Sequence, residues 1–572
     1  MRHRIFVITI FFFFAILIVG LSYTQLFRYD VYTDLSEKNR IRVLSLEAPR
    51  GRIFDRNGNL LVNNRLSFDV EVIYQEIKDP GRIADLLSGI LGIEKKAVAE
   101  SMERARNKPF VPMKLARDIK KEKAIEIEEM RLDFPGLIVT TRPLRNYIYK
   151  ENMAHLLGYL GKISESELLR YRTYGYRMID YVGKDGVEWF YNDYLRGTNG
   201  GLQIEVDSRG RQLRVLATKE PSAGRDLYLS VDIELQKFCD SIMNGKKGAI
   251  IAMESSTGAI LAMVSRPNFD PNVFIAVNDK EVSRLLNDSE GFPLMNRAIA
   301  GTYPPGSIFK TVVATAALET GTIDDRSIFY CSGIHVVGNR IFHCWKEKGH
   351  GSQNVGQGIQ NSCNSFFYQL GLVLGVERIS EYASKFGLGS LLGIDLPGEK
   401  PGLVPTPSWK RRSLKASWFN GETANYSIGQ GYLLITPLQA LNLVNVFASG
   451  GMIVEPYVAA RIENVRVRHL DPRQTGFKKT TVKSVKVALK NVVNAPRGTG
   501  IYARSEEIII SGKTGTAQNP HGKTHAWFTG FAPFKDPKIT VVVFSEHGGK
   551  GGLDPARFAK KIIEEAGKLE LL

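Results

Sequence analysis

Pro304-Pro305-Gly306-Ser307-Ile308-Phe309-Lys310-Thr311 carries the first sign of chemistry in this chain. Proline and glycine just ahead of a periodic apolar run mark a helix start, which places Ser307 in the first turn. Residues three apart on a helix share a face, so Lys310 can reach the Ser307 hydroxyl. A serine hydroxyl is a poor nucleophile until a base takes its proton. Lysine serves as that base only when neutral, which requires burial or a neighbouring positive charge. The helix start also offers backbone N–H groups to a developing oxyanion. Taken alone, Ser-x-x-Lys equally describes a helix cap followed by a solvated lysine.

Two further stretches stand at fixed distances from it. Ser362-Cys363-Asn364 begins 52 residues after Lys310, and Lys513-Thr514-Gly515-Thr516 begins 149 residues after Asn364. Ser362 could relay a proton to a leaving amine, and Asn364 could hold a peptide carbonyl, although Ser-x-Asn is also a common turn. Lys513 and the threonine hydroxyls suit a carboxylate, and Gly515 lets a substrate approach the backbone closely. Lys513 is also a cation able to keep Lys310 neutral.

Around these motifs the chain alternates strands and helices. Gly248–Glu254 and Ala259–Val264 read as a hairpin, with later strands at Glu507–Ser511, Ala526–Ala532 and Lys538–Ser545. Helices are expected after Ser307, Ser365 and Pro437. Strands at both ends with helices between them give an α+β domain whose sheet joins distant segments.

The 572 residues exceed one ordinary core. Composition is that of a folded protein, 43% hydrophobic and 24% charged. The net charge of +17 suits an anionic membrane, an acidic polymer or nucleic acid. No nucleic-acid-binding signature accompanies it, so no nucleic-acid partner is expected. Residues 1–4 are basic and precede an apolar run over 5–27, long enough at roughly 34 Å to cross a bilayer core. Small residues in cleavage-site spacing are missing from its end, so an uncleaved single-pass anchor is expected, with the N-terminus in the cytoplasm. Residues 39–225 read as a polar, mixed module with a hairpin turn at Asn57-Gly58 and helical spacing from Asp79 to Arg131. Residues 226–572 carry the three motifs.

Four cysteines occur, and Cys331, Cys344 and Cys363 fall within 33 residues, interspersed with His335, His343 and His350. Such a cluster fits a Zn²⁺ site, a disulfide outside the cytoplasm, or three unrelated buried thiols. Cys239 stands apart and reads as core.

The set Ser307-x-x-Lys310, Ser362-x-Asn364 and Lys513-Thr514-Gly515 resembles the penicillin-binding transpeptidases and serine β-lactamases. Pro49-Arg-Gly-Arg-Ile-Phe-Asp-Arg-Asn-Gly58 resembles the opening of the pedestal in class B penicillin-binding proteins. Pro267–Asn272, Ser427-Ile-Gly-Gln-Gly431 and Arg497-Gly-Thr-Gly500 are similar to that family as well. The resemblance implies a five-stranded antiparallel sheet with helices on both faces, set behind a pedestal (dimerisation-type) domain and one transmembrane helix. It implies a peptidoglycan D,D-transpeptidase sensitive to β-lactams, acting in cell elongation on stem peptides. Ser307 would form the acyl-enzyme with Lys310 as its base. Ser362 and Asn364 would line the cleft, and Lys513, Thr514 and Thr516 would bind the donor's terminal carboxylate. Backbone N–H groups of Ser307 and Thr516 would form the oxyanion hole.

Cys344-Trp-Lys-Glu-Lys-Gly-His350-Gly, with Cys363 inside Ser-Cys-Asn, looks like a metal-binding feature of the elongation-type branch. It implies a structural Zn²⁺ on Cys331, Cys344, His350 and Cys363, although some relatives carry aspartates at the first two positions. The implied partners are a SEDS-type, RodA-like glycosyltransferase and a cell-shape scaffold protein, and the implied location is the cytoplasmic (inner) membrane with the catalytic domain outside the cytoplasm. A D,D-carboxypeptidase and a division- or sporulation-type transpeptidase share the same motifs. A β-lactamase lacks use for the long pedestal and needs a deacylating Glu-x-x-Leu-Asn string, which does not follow Ser362. A glycosyltransferase domain would carry Glu-Asp-x-x-Phe, absent from 39–225. A β-lactam sensor would need several spans and a cytoplasmic protease domain.

Overall fold

This computed structural model describes residues 2–107, 109, 112–171, 175–178, 180–207, 212–276, 279–519 and 522–572, with the backbone alone at 34–39, 42, 44 and 212. The chain divides into two compact units. The first comprises residues 1–51, 64–145 and 196–224, and the second 52–63, 146–195 and 225–572.

In the first unit, the helix Arg2–Ser22 runs into a π-helical turn at Tyr23–Phe27, and its apolar side chains are exposed along the whole length. Mean hydropathy across this stretch reaches 2.9, as a membrane-crossing helix requires. Strand Ile41–Leu46 then joins Gly200–Val206 and Gln212–Lys219 in a three-stranded antiparallel sheet. Helices Pro80–Leu91, Lys95–Arg106 and Lys121–Glu129 account for most of the helical spacing between Asp79 and Arg131. Asp79 caps the first of them by accepting from the Gly81 and Arg82 amides, and Gly92 ends it in the left-handed conformation. Met113–Ile119 is instead a strand, because Met113, Lys114, Ala116 and Ile119 pair antiparallel with Val72, Glu71, Val70 and Phe68. Residues 108, 110 and 111 of that stretch lie outside the described residues. Val70, Val72, Ile83, Leu87, Val98 and Met102 form the unit's core.

The second unit is built on a five-stranded antiparallel sheet. Its strands are β1 (Gly248–Glu254), β2 (Ile260–Arg266), β3 (Ser511–Ala517), β4 (His525–Ala532) and β5 (Ile539–Ser545), in the order β2-β1-β5-β4-β3. One face of the sheet, including Ile250, Ala252, Phe528, Val541 and Val543, packs on α1 (Ile233–Ile242) and the C-terminal α6 (Asp554–Lys568). The other face meets α4 (Pro437–Ala448), where Thr529 Oγ1 donates to Ala440 O and Thr540 Oγ1 to Asn445 Oδ1. Helices therefore cover both faces, as the family resemblance implied. α2 (Lys310–Glu319), α3 (Asn364–Leu374) and α5 (Lys479–Asn494) complete this unit's principal helices. Every residue of α4 is buried, and Thr436 with Gln439 closes its start as a capping box.

Two expectations shift in detail. The strand expected at Glu507–Ser511 begins only at Ser511 and continues through the polar Lys513-Thr-Gly-Thr run. Hydrogen bonding to β4, with Lys513 opposite Thr529, sets this strand, and the apolar Ile508–Ile510 merely leads into it. The hairpin at Asn57-Gly58 forms: Ile53–Phe54 pairs with Leu60–Val62, Gly58 has φ +85°, and Asp55 accepts from the Asn57 and Asn59 amides. This hairpin belongs to the second unit, where Ile53–Phe54 also pairs in parallel with Leu227–Tyr228. Segment 146–195 joins that unit too: Asn272 exchanges hydrogen bonds with the Tyr147 backbone, and Tyr191 donates to Asp395.

Candidate active site

Ser307 lies in a 3₁₀ turn, Gly306–Ile308, that leads directly into α2. That turn rests on β3 at a distance only glycine permits. A Cβ on Gly306, whose φ is +55°, would stand 2.6 Å from Thr516 O, and one on Gly515 would stand 2.8 Å from Pro305 O. Gly306 N donates to Gly429 O at 2.9 Å, which ties the turn to the 427–431 loop. Trp527 on β4 is fully buried and donates from Nε1 to Pro304 O at 3.1 Å. The serine is thus fixed between the edge of the sheet and the start of a helix.

Lys310 and Lys513 are both fully buried. Lys310 Nζ donates to Asn364 Oδ1 at 2.6 Å, to Ser362 O at 2.8 Å and to Ser362 Oγ at 3.4 Å. Lys513 Nζ donates to the same Ser362 Oγ at 3.0 Å and to Thr514 O at 3.2 Å. One hydroxyl therefore bridges two lysines from distant parts of the chain. Burial pushes Lys310 down to about 8, against an opposing pull from the nearby thiols. Burial also pushes Lys513 well down, and the Lys310 charge adds to that shift. The Lys310 head turns toward Ser362 and Asn364, and among the described residues it makes no hydrogen bond to Ser307 Oγ. Its strongest acceptors are instead Asn364 Oδ1 and Ser362 O, at 2.6 and 2.8 Å.

Ser362 has φ +50°, a left-handed backbone that an ordinary side chain rarely adopts. It ends the helix Val355–Gln360 as a left-handed C-cap, with Ser362 N donating to Ile359 O at 3.2 Å and Cys363 N to Gly358 O at 3.0 Å. Asn364 opens α3 and donates from Nδ2 to His343 O. Along β3, Thr514 donates to Thr499 Oγ1 at 3.1 Å, while Thr516 is exposed and accepts from Gly551 N at 3.3 Å. The arrangement can hold a serine beside two desolvated lysines and present two threonine hydroxyls along an open strand edge.

Behind the 361–364 loop sits a second cluster. The Sγ atoms of Cys331, Cys344 and Cys363 and a ring nitrogen of His350 lie within 4.8 Å of one another. His350 Nδ1 is 3.6 Å from Cys331 Sγ and 3.5 Å from Cys344 Sγ. None of these cysteines is in a disulfide, and all three are buried. Hydrogen bonding with Cys363 holds the Cys344 thiol well below its usual range, and the same bond pushes Cys363 up. Cys363 Sγ also accepts from Phe366 N at 3.4 Å, so the Cys363 side chain faces the thiols while Ser362 and Asn364 face Lys310. His335 and His343, interspersed among the cysteines in sequence, lie outside the cluster.

Several residues that brace this loop carry no motif. Trp345 Nε1 donates to Asn361 O and Ser362 O, Gln353 accepts from Asn361 Nδ2, and Tyr368 donates to His343 O. Position next to Cys344 was the sole sequence signal for Trp345, and Gln353 had none.

Residues 248–564 match the penicillin binding protein transpeptidase domain, and residues 45–229 match the penicillin-binding protein dimerisation domain. The chain belongs to the class B penicillin-binding proteins. Among relatives of this penicillin-binding protein, the peptidoglycan D,D-transpeptidase MrdA of Acinetobacter baumannii is 36% identical, over 95% of this chain and 84% of that protein. A solved complex between penicillin-binding protein PBP2 and MreC from Helicobacter pylori has a chain at TM-score 0.83 and 28% identity, covering 93% of this chain and 100% of that one. A structure describing the coordination of polymerization and crosslinking by a peptidoglycan synthase complex has a chain at TM-score 0.74 and 29% identity, covering 98% and 97%. The transpeptidase match contains all three motifs and the thiol cluster of this penicillin-binding protein.

Proposed function

We propose that this chain performs D,D-transpeptidation through an acyl-enzyme on Ser307, and that the activity serves cell elongation. Ser307 Oγ attacks the carbonyl carbon between the two terminal D-alanines of a donor stem peptide. Neutral Lys310 takes the hydroxyl proton, either directly or once the substrate has redrawn its hydrogen bonds; catalytic contacts are often loose before substrate arrives. The backbone N–H groups of Ser307 and Thr516 hold the oxyanion, with Gly515 allowing the strand to lie this close to Pro305. Ser362, hydrogen-bonded to both lysines, passes the proton to the departing D-alanine amine. Asn364 orients the donor, and Lys513, Thr514 and Thr516 hold its terminal carboxylate. An acceptor amine then attacks the ester, restoring Ser307 and completing the cross-link; water in its place gives carboxypeptidase activity. The observation that carries this reading is the single Ser362 hydroxyl between two buried lysines. Fluorescent penicillin should label the protein in membranes, with the adduct mapping to the Ser307 peptide; an adduct elsewhere sinks the assignment.

The donor set and its spacing fit one Zn²⁺, which Cys331, Cys344, His350 and Cys363 would hold. Four protein ligands would leave no open position, so the ion's role would be structural, tying the back of the 361–364 loop to segment 331–350.

The exposed apolar helix Arg2–Ser22 with its π-helical extension suits a single-pass anchor, and the basic tail suits a cytoplasmic N-terminus with the catalytic domain outside. Residues 39–225 act as the pedestal and 226–572 as the transpeptidase domain. The pedestal docks a RodA-like SEDS glycosyltransferase and a cell-shape scaffold protein of the MreC kind. The structural likenesses to a PBP2–MreC complex and to a peptidoglycan synthase complex support this docking. A pull-down from native membranes that keeps the polymerase intact but recovers neither partner would count against it.

A further inference from the structure

Trp345 is bound to the catalytic loop by its indole while its ring lies on the surface. It is 58% exposed, and its ring packs edge-on against His350 with centroids 5.1 Å apart. Nε1–H, the ring's single donor, is shared between Asn361 O at 3.1 Å and Ser362 O at 3.2 Å. Ser362 O is also the carbonyl that accepts from Lys310 Nζ at 2.8 Å. Trp345 and Lys310 therefore fix one carbonyl oxygen from two directions. The peptide they fix belongs to Ser362, the residue with the left-handed backbone whose Oγ stands between the two lysines. The left-handed turn itself is closed by the backbone, with Ser362 N donating to Ile359 O at 3.2 Å and Cys363 N to Gly358 O at 3.0 Å as a helix C-cap, so what the indole adds is its hold on the carbonyl. A further side-chain brace on the loop, Asn361 Nδ2 to Gln353 Oε1 at 2.7 Å, acts one residue earlier and does not touch the Ser362 carbonyl.

We propose that Trp345 is a positioning residue for transpeptidation: its indole N–H holds the Ser362 carbonyl that also accepts from Lys310 Nζ, and so keeps Ser362 Oγ and Lys310 Nζ in register. The role is separable from the thiol cluster, because the ring supplies the contact with His350 while the N–H supplies the contact with Ser362. It rests on Ser362 and Lys310 acting as described under Proposed function.

The test removes the N–H and keeps the ring. In the full-length protein in detergent, Trp345→Phe and a site-specific replacement of Trp345 by benzothienylalanine (sulfur in place of N–H, same outline) are compared with wild type and with Ser362→Ala. Saturation kinetics with a chromogenic cephalosporin separate noncovalent affinity from the acylation rate constant. Both Trp345 variants should lower the acylation rate constant about tenfold, the scale of one or two lost neutral hydrogen bonds, with noncovalent affinity, melting temperature and bound metal as in wild type. An acylation rate constant within twofold of wild type for the benzothienylalanine protein overturns the proposal. So does a loss that tracks a fall in melting temperature or metal content in that protein, since the indole would then be merely structural. If Ser362→Ala itself acylates at the wild-type rate, the assigned role of Ser362 fails instead.

Discussion

Lys310, Ser362 and Lys513 on one side of the 361–364 loop, and Cys331, Cys344, Cys363 and His350 on the other, are both buried polar clusters. They differ in how their polar atoms are satisfied. In the first, each lysine head has protein acceptors within 3.2 Å, and the remaining tension is between two like charges taken out of water. In the second, His350 Nδ1 lies 3.6 Å from Cys331 Sγ and 3.5 Å from Cys344 Sγ, the four donor atoms stand within 4.8 Å of one another, and His350 Nε2 is buried with no hydrogen-bond partner among the described residues. A buried polar atom without a partner costs about 1–3 kcal/mol. The lysine cluster keeps its tension as depressed basicity, which suits the proton transfers proposed for it. The thiol cluster has donors converging on a point, which is what a metal ion requires. A single loop thus has a reactive face and an anchoring face, set by alternation of Ser362, Cys363 and Asn364.

The largest effect expected from breaking the reactive face is that of Ser307→Ala. Covalent penicillin labelling should vanish while the circular dichroism spectrum is kept; full-stoichiometry labelling of the variant would remove Ser307 from the mechanism. Lys310→Ala comes next, slowing acylation by at least about 10², the low end for loss of a general base. The pH dependence carries the same information with a definite sign. Lys310 must shed its proton to act as base, and its pKa is pushed down to about 8. The wild-type acylation rate should rise as pH climbs through about 8 and fall below it, and Lys310→Ala should flatten that limb. A wild-type profile level from pH 6 to 9 would contradict the assignment.

Breaking the anchoring face should cost less. Protein purified without chelator should hold one equivalent of zinc, and stripping it should slow acylation roughly tenfold, as for loss of an outer-shell support, with the adduct still on Ser307. Zinc far below one equivalent together with a Cys331–Cys344 disulfide in a mass map would replace the metal by an oxidised pair.

The contrast also explains what was legible in the sequence. Ser307, Lys310, Ser362, Asn364 and Lys513 were visible as chemical types at telling separations, and the fold brings Lys310, Ser362, Asn364 and Lys513 into direct contact. Strands Gly248–Glu254 and Ile539–Ser545 were visible because buried β-branched and small residues run without interruption. Three things were hidden. Ile508–Ile510 resembled a strand, yet the pairing belonged to Ser511–Ala517, since register with β4 is decided across the sheet and not along it. The left-handed Ser362 had no glycine to announce it. Trp345 reaches Asn361 and Ser362 across 16 and 17 residues of chain and Gln353 reaches Asn361 across 8, links that neither periodicity nor composition records.

The smallest effect sharpens the comparison by separating a clustered thiol from a solitary one. Cys239 is fully buried on α1, within the apolar core that includes Leu235, Met243, Ile250 and Ala559. Burial among these groups pushes its thiol well up, so it stays protonated and behaves as a small hydrophobe. Cys239→Ala removes one sulfur from a packed site and leaves no charge or unpaired donor behind. Its cost should be about 1 kcal/mol, the scale of deleting one methyl-sized group from a core, with zinc stoichiometry and acylation unchanged. Cys363→Ala deletes the same atom, yet should release the metal and slow acylation, because its sulfur is one of four converging donors and its backbone sits between Ser362 and Asn364. Equal zinc content and equal acylation rates in the two variants would mean that the thiol cluster has no hold on the catalytic loop.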